Sequence, residues 1–116
     1  MRKIFYLSTC DTCRRIIEEL QLKKKGFEFQ DIKAEKISSK QLEEMKKLSG
    51  SYEALFSRVA LKYKTLELKP STEAEYKKLI LSEYTFLKRP VIFVGNKIFV
   101  GNSKNTLAAA KEELLV

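Results

Sequence analysis

The stretch "RPVIFVGNKIFV", Arg89–Val100, decides the fold. Two short apolar runs, Val91–Val94 and Lys97–Val100, flank Gly95-Asn96, a two-residue connection of the kind that closes tight antiparallel hairpins. Pro90 stands directly ahead of the first run. After the second, a helix is predicted from Asn102 or Ser103 to the end, with Leu107, Ala110 and Leu114 on one side. The last third of the chain therefore predicts strand, strand, helix.

The N-terminal third has a different order. "KIFYL", Lys3–Leu7, is apolar and aromatic enough for a buried strand. Cys13, Ile16, Ile17 and Leu20 then fall at i, i+3, i+4 and i+7, a helical stripe for which Gly26 supplies a stop. "FEFQDI", Phe27–Ile32, alternates as a second strand. A parallel pair needs the right-handed crossover that the intervening helix provides.

The middle third is expected to be wholly helical. Ser38 or Ser39 caps a helix that turns Leu42 and Met45 inward and stops near Gly50, and "SYEALFSRVALKYK" suggests a further short helix with an irregular turn. After Pro70, Thr72 and Glu75 have capping-box spacing, with Tyr76, Leu79, Ile80 and Tyr84 as the apolar face. The assembled order predicts an α/β protein with a four-stranded mixed sheet, β-α-β then β-β-α. This is the layout of the thioredoxin-like fold, with a helical insertion of about residues 38–86 in a single domain of residues 1–116.

Composition removes several function classes. A chain of 116 residues, 44% hydrophobic and without a Gly, Pro or Ser-rich linker, is the size of one domain. Histidine is absent, so no Ser-His-Asp triad, Cys-His pair or HExxH zinc helix can be built. The net charge of +8 is compatible with an anionic partner, but most lysines lie beside glutamates on polar helix faces, so direct nucleic-acid binding is not expected. No signal-like or membrane-length apolar run occurs, and a cytoplasmic protein without membrane attachment is expected.

Against that background stands "YLSTCDTCRR", Tyr6–Arg15, which holds the only two cysteines. In a reducing compartment a close pair points to catalysis, redox chemistry or metal binding rather than a structural staple. Cys10 falls at the start of a helix, where free amides and the helix dipole favour a thiolate. Cys13 follows one turn later and can close a disulfide with it. Arg14 and Arg15 add positive charge, the hydroxyls of Thr9 and Thr12 are candidate donors to the sulfur, and Asp11 opposes them. Packing alone is a reasonable role for Cys13 on the apolar stripe, but a poor one for Cys10. A zinc site lacks a second ligand pair, so no metal is assigned, and a Cys-x5-Arg phosphatase loop is excluded by Ile16. Dithiol redox chemistry is preferred.

The chain also resembles the arsenate reductase (ArsC) family, which includes the Spx-type regulators. The resemblance rests on "STCDTCRR", "ALFSR" at Ala54–Arg58, "LKRPVIF" at Leu87–Phe93 and "VGNSKNTL", in order and at the family's spacing. It implies that Cys10 is the nucleophile and Arg14 the basic residue of the same turn. It further implies that Arg89 binds an oxyanion through its planar fork, and that Pro90 is the cis-proline of thioredoxin-like folds. A further arginine is implied after "ALF", where the choice lies between Arg58 and the position of Val59. A third, on the last strand, is missing, because Val100 and Gly101 stand there and only Lys97 is a nearby cation.

The expected function is a thiol-dependent oxidoreductase, with Cys10 attacking an oxidised thiol or an arsenate-like oxyanion and Cys13 resolving the adduct. Thr12, Arg14, Arg58, Arg89 and Pro90 form the expected substrate site. No bound cofactor is expected, but an external reductant is, either glutathione with glutaredoxin or a thioredoxin system. The alternative is an Spx-type regulator that binds RNA polymerase and uses the cysteine pair as a switch.

Overall fold

The computed structural model describes residues 1–115. In chain order it contains β1 (Arg2–Tyr6), α1 (Asp11–Glu19), β2 (Glu28–Asp31), α2 (Ser39–Ser49), α3 (Leu61–Lys64), α4 (Glu73–Ser82), β3 (Val91–Val94), β4 (Lys97–Val100) and α5 (Lys104–Leu114). Single 3-10 turns occupy Leu22–Lys24, Glu53–Leu55 and Tyr84–Phe86. The chain divides into two compact units, Met1–Glu35 with the chain from Arg89 onward, and Lys36–Lys88.

The first unit is built on a mixed sheet of strand order β2-β1-β3-β4. β1 runs parallel to β2 and antiparallel to β3, which pairs antiparallel with β4. The register places Phe29, Ile4, Ile92 and Phe99 opposite one another in a row across the sheet. Side chains alternate along a strand, so this row shares one face. α1 and α5 pack there, contributing Ile16, Ile17, Leu20, Ala110 and Leu114 to the core. Burying each of the larger aliphatic side chains stabilises by roughly 1.5–3 kcal/mol. β3 is buried at every position, as an unbroken apolar run in an inner strand should be. Gly95 has φ +64° and Asn96 does not share that sign, the pattern of a type II′ hairpin turn.

α1 spans its apolar stripe but stops before the predicted glycine. It closes at Leu20 rather than at Gly26, because Gln21 turns into the left-handed region at φ 55°. Leu20 and Leu22 are both buried. Two positions apart on a continued helix they would point to nearly opposite sides. The reversal at Gln21 brings both to the core, and Gly26 instead turns the chain toward β2 at φ +73°.

The second unit is helical, with one exception to the expectation. Ser38 caps α2 in a full capping box with Gln41, and Thr72 caps α4 in another with Glu75. Phe56 is its centre, packing against Tyr63 and Tyr76 at 5.8 and 5.1 Å and stacking on Phe86 at 5.2 Å. Phe56 is extended and forms an antiparallel bridge with Leu87, fastened by Ser57 N–H to Phe86 O at 2.7 Å and Lys88 N–H to Leu55 O at 2.8 Å. The middle third is therefore not wholly helical. Tyr84 also leaves the face predicted for it, because α4 ends at Ser82. Among the described residues no helix is long and apolar enough to cross a membrane.

Candidate active site

The turn between β1 and α1 presents the cysteines. Leu7 is buried and anchors the end of the strand, whereas Ser8 and Thr9 are exposed. The Cys10 amide donates to Leu7 O at 3.0 Å, which closes the turn, and the Arg14 amide donates back to Cys10 O at 3.2 Å as the first helical bond. Cys10 is thus the N-cap, extended at φ −96° and ψ 114°. Cys10 is half-buried, Cys13 is fully buried, and both are free thiols.

The two thiols are biased in opposite directions. Burial pushes Cys10 up, but hydrogen bonds from the Cys13 amide, the Cys13 thiol and the Thr12 amide, together with the Arg89 charge, more than offset it. Its net shift is below the ordinary value. Cys13 is pushed up to about 11, first by burial and then by its hydrogen bond to Cys10 and the charge beside it. The hydrogen bond from the Leu7 backbone and the charge of Arg89 pull Cys13 the other way, and burial wins. A thiolate at Cys10 held by a protonated Cys13 is the arrangement these effects select.

The expected site residues divide into those the cysteine turn gathers and those it does not. Arg89 exerts its charge on both sulfurs, and the Arg89-Pro90 bond is cis, with Pro90 buried and its carbonyl accepting from the Gly101 amide at 2.9 Å. Thr12 acts on Cys10 through its amide, not through the hydroxyl that side-chain chemistry suggests. Arg14 lies on the first turn of α1. Its guanidinium pairs with the Asp11 carboxylate, one turn back on α1, and Arg89 adds its charge to the environment of Cys10. Arg58 belongs to the helical unit. It bonds Glu53 at 2.9 Å and the Tyr76 hydroxyl at 2.7 Å, with its guanidinium over the Tyr76 ring. Lys97, the remaining cation near the last strand, pairs with Glu113 at 2.7 Å. Among the described residues no three potential metal ligands cluster.

One feature had no sequence signal. A cleft of about 240 Å³ lies beside α1, with Tyr6, Ile17 and Phe29 as its apolar lining and Arg14, Glu18 and Lys23 as its charged lining. Lys23 reaches it only because the chain reverses at Gln21, which periodicity did not reveal.

The pattern of the ArsC family matches residues 5–110, nearly the whole chain. The chain belongs to the ArsC family. Among solved structures, this ArsC-family chain is similar to an arsenate reductase (ArsC) related protein from Brucella melitensis, at 24% identity and a TM-score of 0.70, covering 93% of this chain and 92% of that one. It is likewise similar to a Staphylococcus aureus protein, at 24% identity and 0.75 (94% and 97% covered), and to an arsenate reductase from Vibrio cholerae, at 14% and 0.74 (98% and 94%). At these identities the likeness is one of fold, and with the family it makes the architecture thioredoxin-like. No curated protein matches the sequence.

Proposed function

We propose that this ArsC-family protein is a dithiol oxidoreductase that reduces an oxidised sulfur. The observation that carries the proposal is the opposed bias of one cysteine pair, Cys10 toward thiolate and Cys13 toward thiol. Cys10 thiolate attacks one sulfur of a disulfide; the substrate S–S bond breaks, a Cys10 mixed disulfide forms, and the departing thiolate takes a proton. Cys13 then gives up its proton to solvent and attacks the Cys10 sulfur. The second substrate sulfur leaves as thiolate and takes a proton, and the substrate has gained the two electrons that the Cys10 and Cys13 thiols gave up in forming their disulfide. A thiol reductant from outside the chain, glutathione or a dithiol protein, restores the pair.

Within this proposal, Thr12 and Cys13 amides stabilise the attacking thiolate and Arg89 holds negative charge near it. The oxyanion branch of the same chemistry would draw on Arg89 as well. It is less well supplied, because Val100 and Gly101 occupy the last-strand positions, Lys97 is paired with Glu113, and Arg14 with Asp11. We therefore place oxidised thiols ahead of arsenate.

The test is a trapping experiment. Cys13→Ser should stop as a stable mixed disulfide after brief exposure to a disulfide, Cys10→Ser should form none, and the parent should pass through to the internal disulfide. Mass spectrometry separates the three. Turnover of Cys13→Ser with glutathione at the parent rate would reduce Cys13 to packing, and the absence of an adduct on every protein would end the redox proposal.

A further inference from the structure

The cleft beside α1 borders the cysteine turn: Ser8, two residues before Cys10, and Arg14, whose amide donates to Cys10 O, both line it. Arg14, Ile17 and Glu18 on the helix that Cys10 caps carry the lining on from that turn. At about 1.5 Å of rise per residue, Arg14 lies ~6 Å and Glu18 ~12 Å along the axis from Cys10. An extended peptide covers about 3.3 Å per residue. A substrate bound through its own cysteine at Cys10 therefore delivers a side chain two or three residues away into the cleft.

Size and chemistry narrow that side chain. About 240 Å³ is below the ~300 Å³ at which pockets for whole small molecules begin, and suits one large side chain. Tyr6 and Phe29 meet edge to face at 5.9 Å, and with Ile17 they offer an apolar, aromatic lining. Two cations, Lys23 and the Arg14 that Asp11 also pairs, line the cleft against one carboxylate, Glu18. This favours a negative group beside the apolar one.

We propose that the cleft is a peptide-recognition subsite, and that the substrate of Cys10 is a disulfide of a polypeptide carrying an aromatic or large aliphatic residue two or three positions from the reacting cysteine, next to an acidic residue. This rests on the redox function above, and it selects polypeptide disulfides over free oxyanions and over glutathione adducts, which lack the apolar side chain.

The experiment uses short peptides whose single cysteine carries a thionitrobenzoate leaving group. Attack of Cys10 on the peptide sulfur breaks that S–S bond and releases the chromophore, so its appearance reads the rate. Glu-Phe-Ala-Cys-Ala and Ala-Cys-Ala-Phe-Glu cover both chain directions. Controls replace Phe by Gly or Glu by Lys, or put the chromophore on glutathione. One direction should react about tenfold or more faster than its Gly control, the advantage of burying an aromatic side chain. The Glu-over-Lys preference should reverse in Lys23→Glu, a substitution at an exposed position. Equal rates for all peptides and for the glutathione conjugate overturn the subsite while leaving the redox function standing. A preference that Lys23→Glu leaves intact also overturns it. Release no faster than from free cysteine, on every substrate, means instead that the redox function itself fails.

Discussion

Selective alkylation puts the opposed bias of the cysteines to a quantitative test. At neutral pH a thiol with its pKa at about 11 is thiolate in roughly one molecule in ten thousand, whereas a thiol at the unperturbed 9.0 is so in roughly one in a hundred. Cys10 lies below 9.0, so its thiolate fraction exceeds that of Cys13 by at least about a hundredfold. Intrinsic nucleophilicity rises with pKa at a Brønsted slope of about 0.4–0.5, which returns no more than about tenfold to Cys13 over two units. Cys10 should therefore alkylate at least about ten times faster before access is considered, and Cys13 is fully buried besides. Limiting iodoacetamide followed by peptide mass spectrometry reads the ratio directly. The single-cysteine variants then give the midpoints. Cys13→Ser should show a reactive thiolate below 9.0, and Cys10→Ser a midpoint still above it, because burial is the largest cause of the Cys13 shift and remains when its neighbour is gone. Arg89→Gln should raise the Cys10 midpoint. Labelling of Cys13 first, or a Cys10→Ser midpoint at or below that of Cys13→Ser, refutes the assignment of roles.

Two further predictions concern the helical unit. Thr72→Ala removes the acceptor for the Glu75 amide and should destabilise by about 1 kcal/mol, seen as a lower urea midpoint at unchanged slope; a midpoint equal to the parent's would show that the box contributes nothing. The Glu75 carboxylate is held below its ordinary 4.5 by the Ser71 amide, then by the Thr72 and Ser71 hydroxyls. A carboxylate with a depressed folded pKa stabilises above the unfolded value and loses that contribution as pH falls through the folded one. Below pH 4.5 the parent should therefore lose stability more steeply than Glu75→Gln, and parallel acid unfolding curves would count against the box as the cause.

Much of this was legible in the sequence because it is local. The hairpin at Gly95-Asn96, the cap spacings at Ser38 and Thr72, and the period-3.6 stripe of α1 each depend on residues within a few positions, and each lies where the pattern put it. The same holds for Cys10 as the residue that opens a helix, since strand, turn and helix follow one another without interruption there. The parallel pairing of β1 and β2 also followed, because only a crossover helix separates them.

Tertiary structure decided what depends on distant groups. The charge of Arg89 reaches Cys10 from the other end of the chain, and Arg14, a neighbour on the same helix, is paired with Asp11 one turn back. The length of α1 was settled by the core, which needed both Leu20 and Leu22 and could have both only by reversing at Gln21. That reversal carries Lys23 to the cleft, a place no periodicity marks. Residue identity and spacing determine which groups can do chemistry; which group faces which is set by the global packing, because Coulomb and burial effects act through space and take no account of the order of the chain.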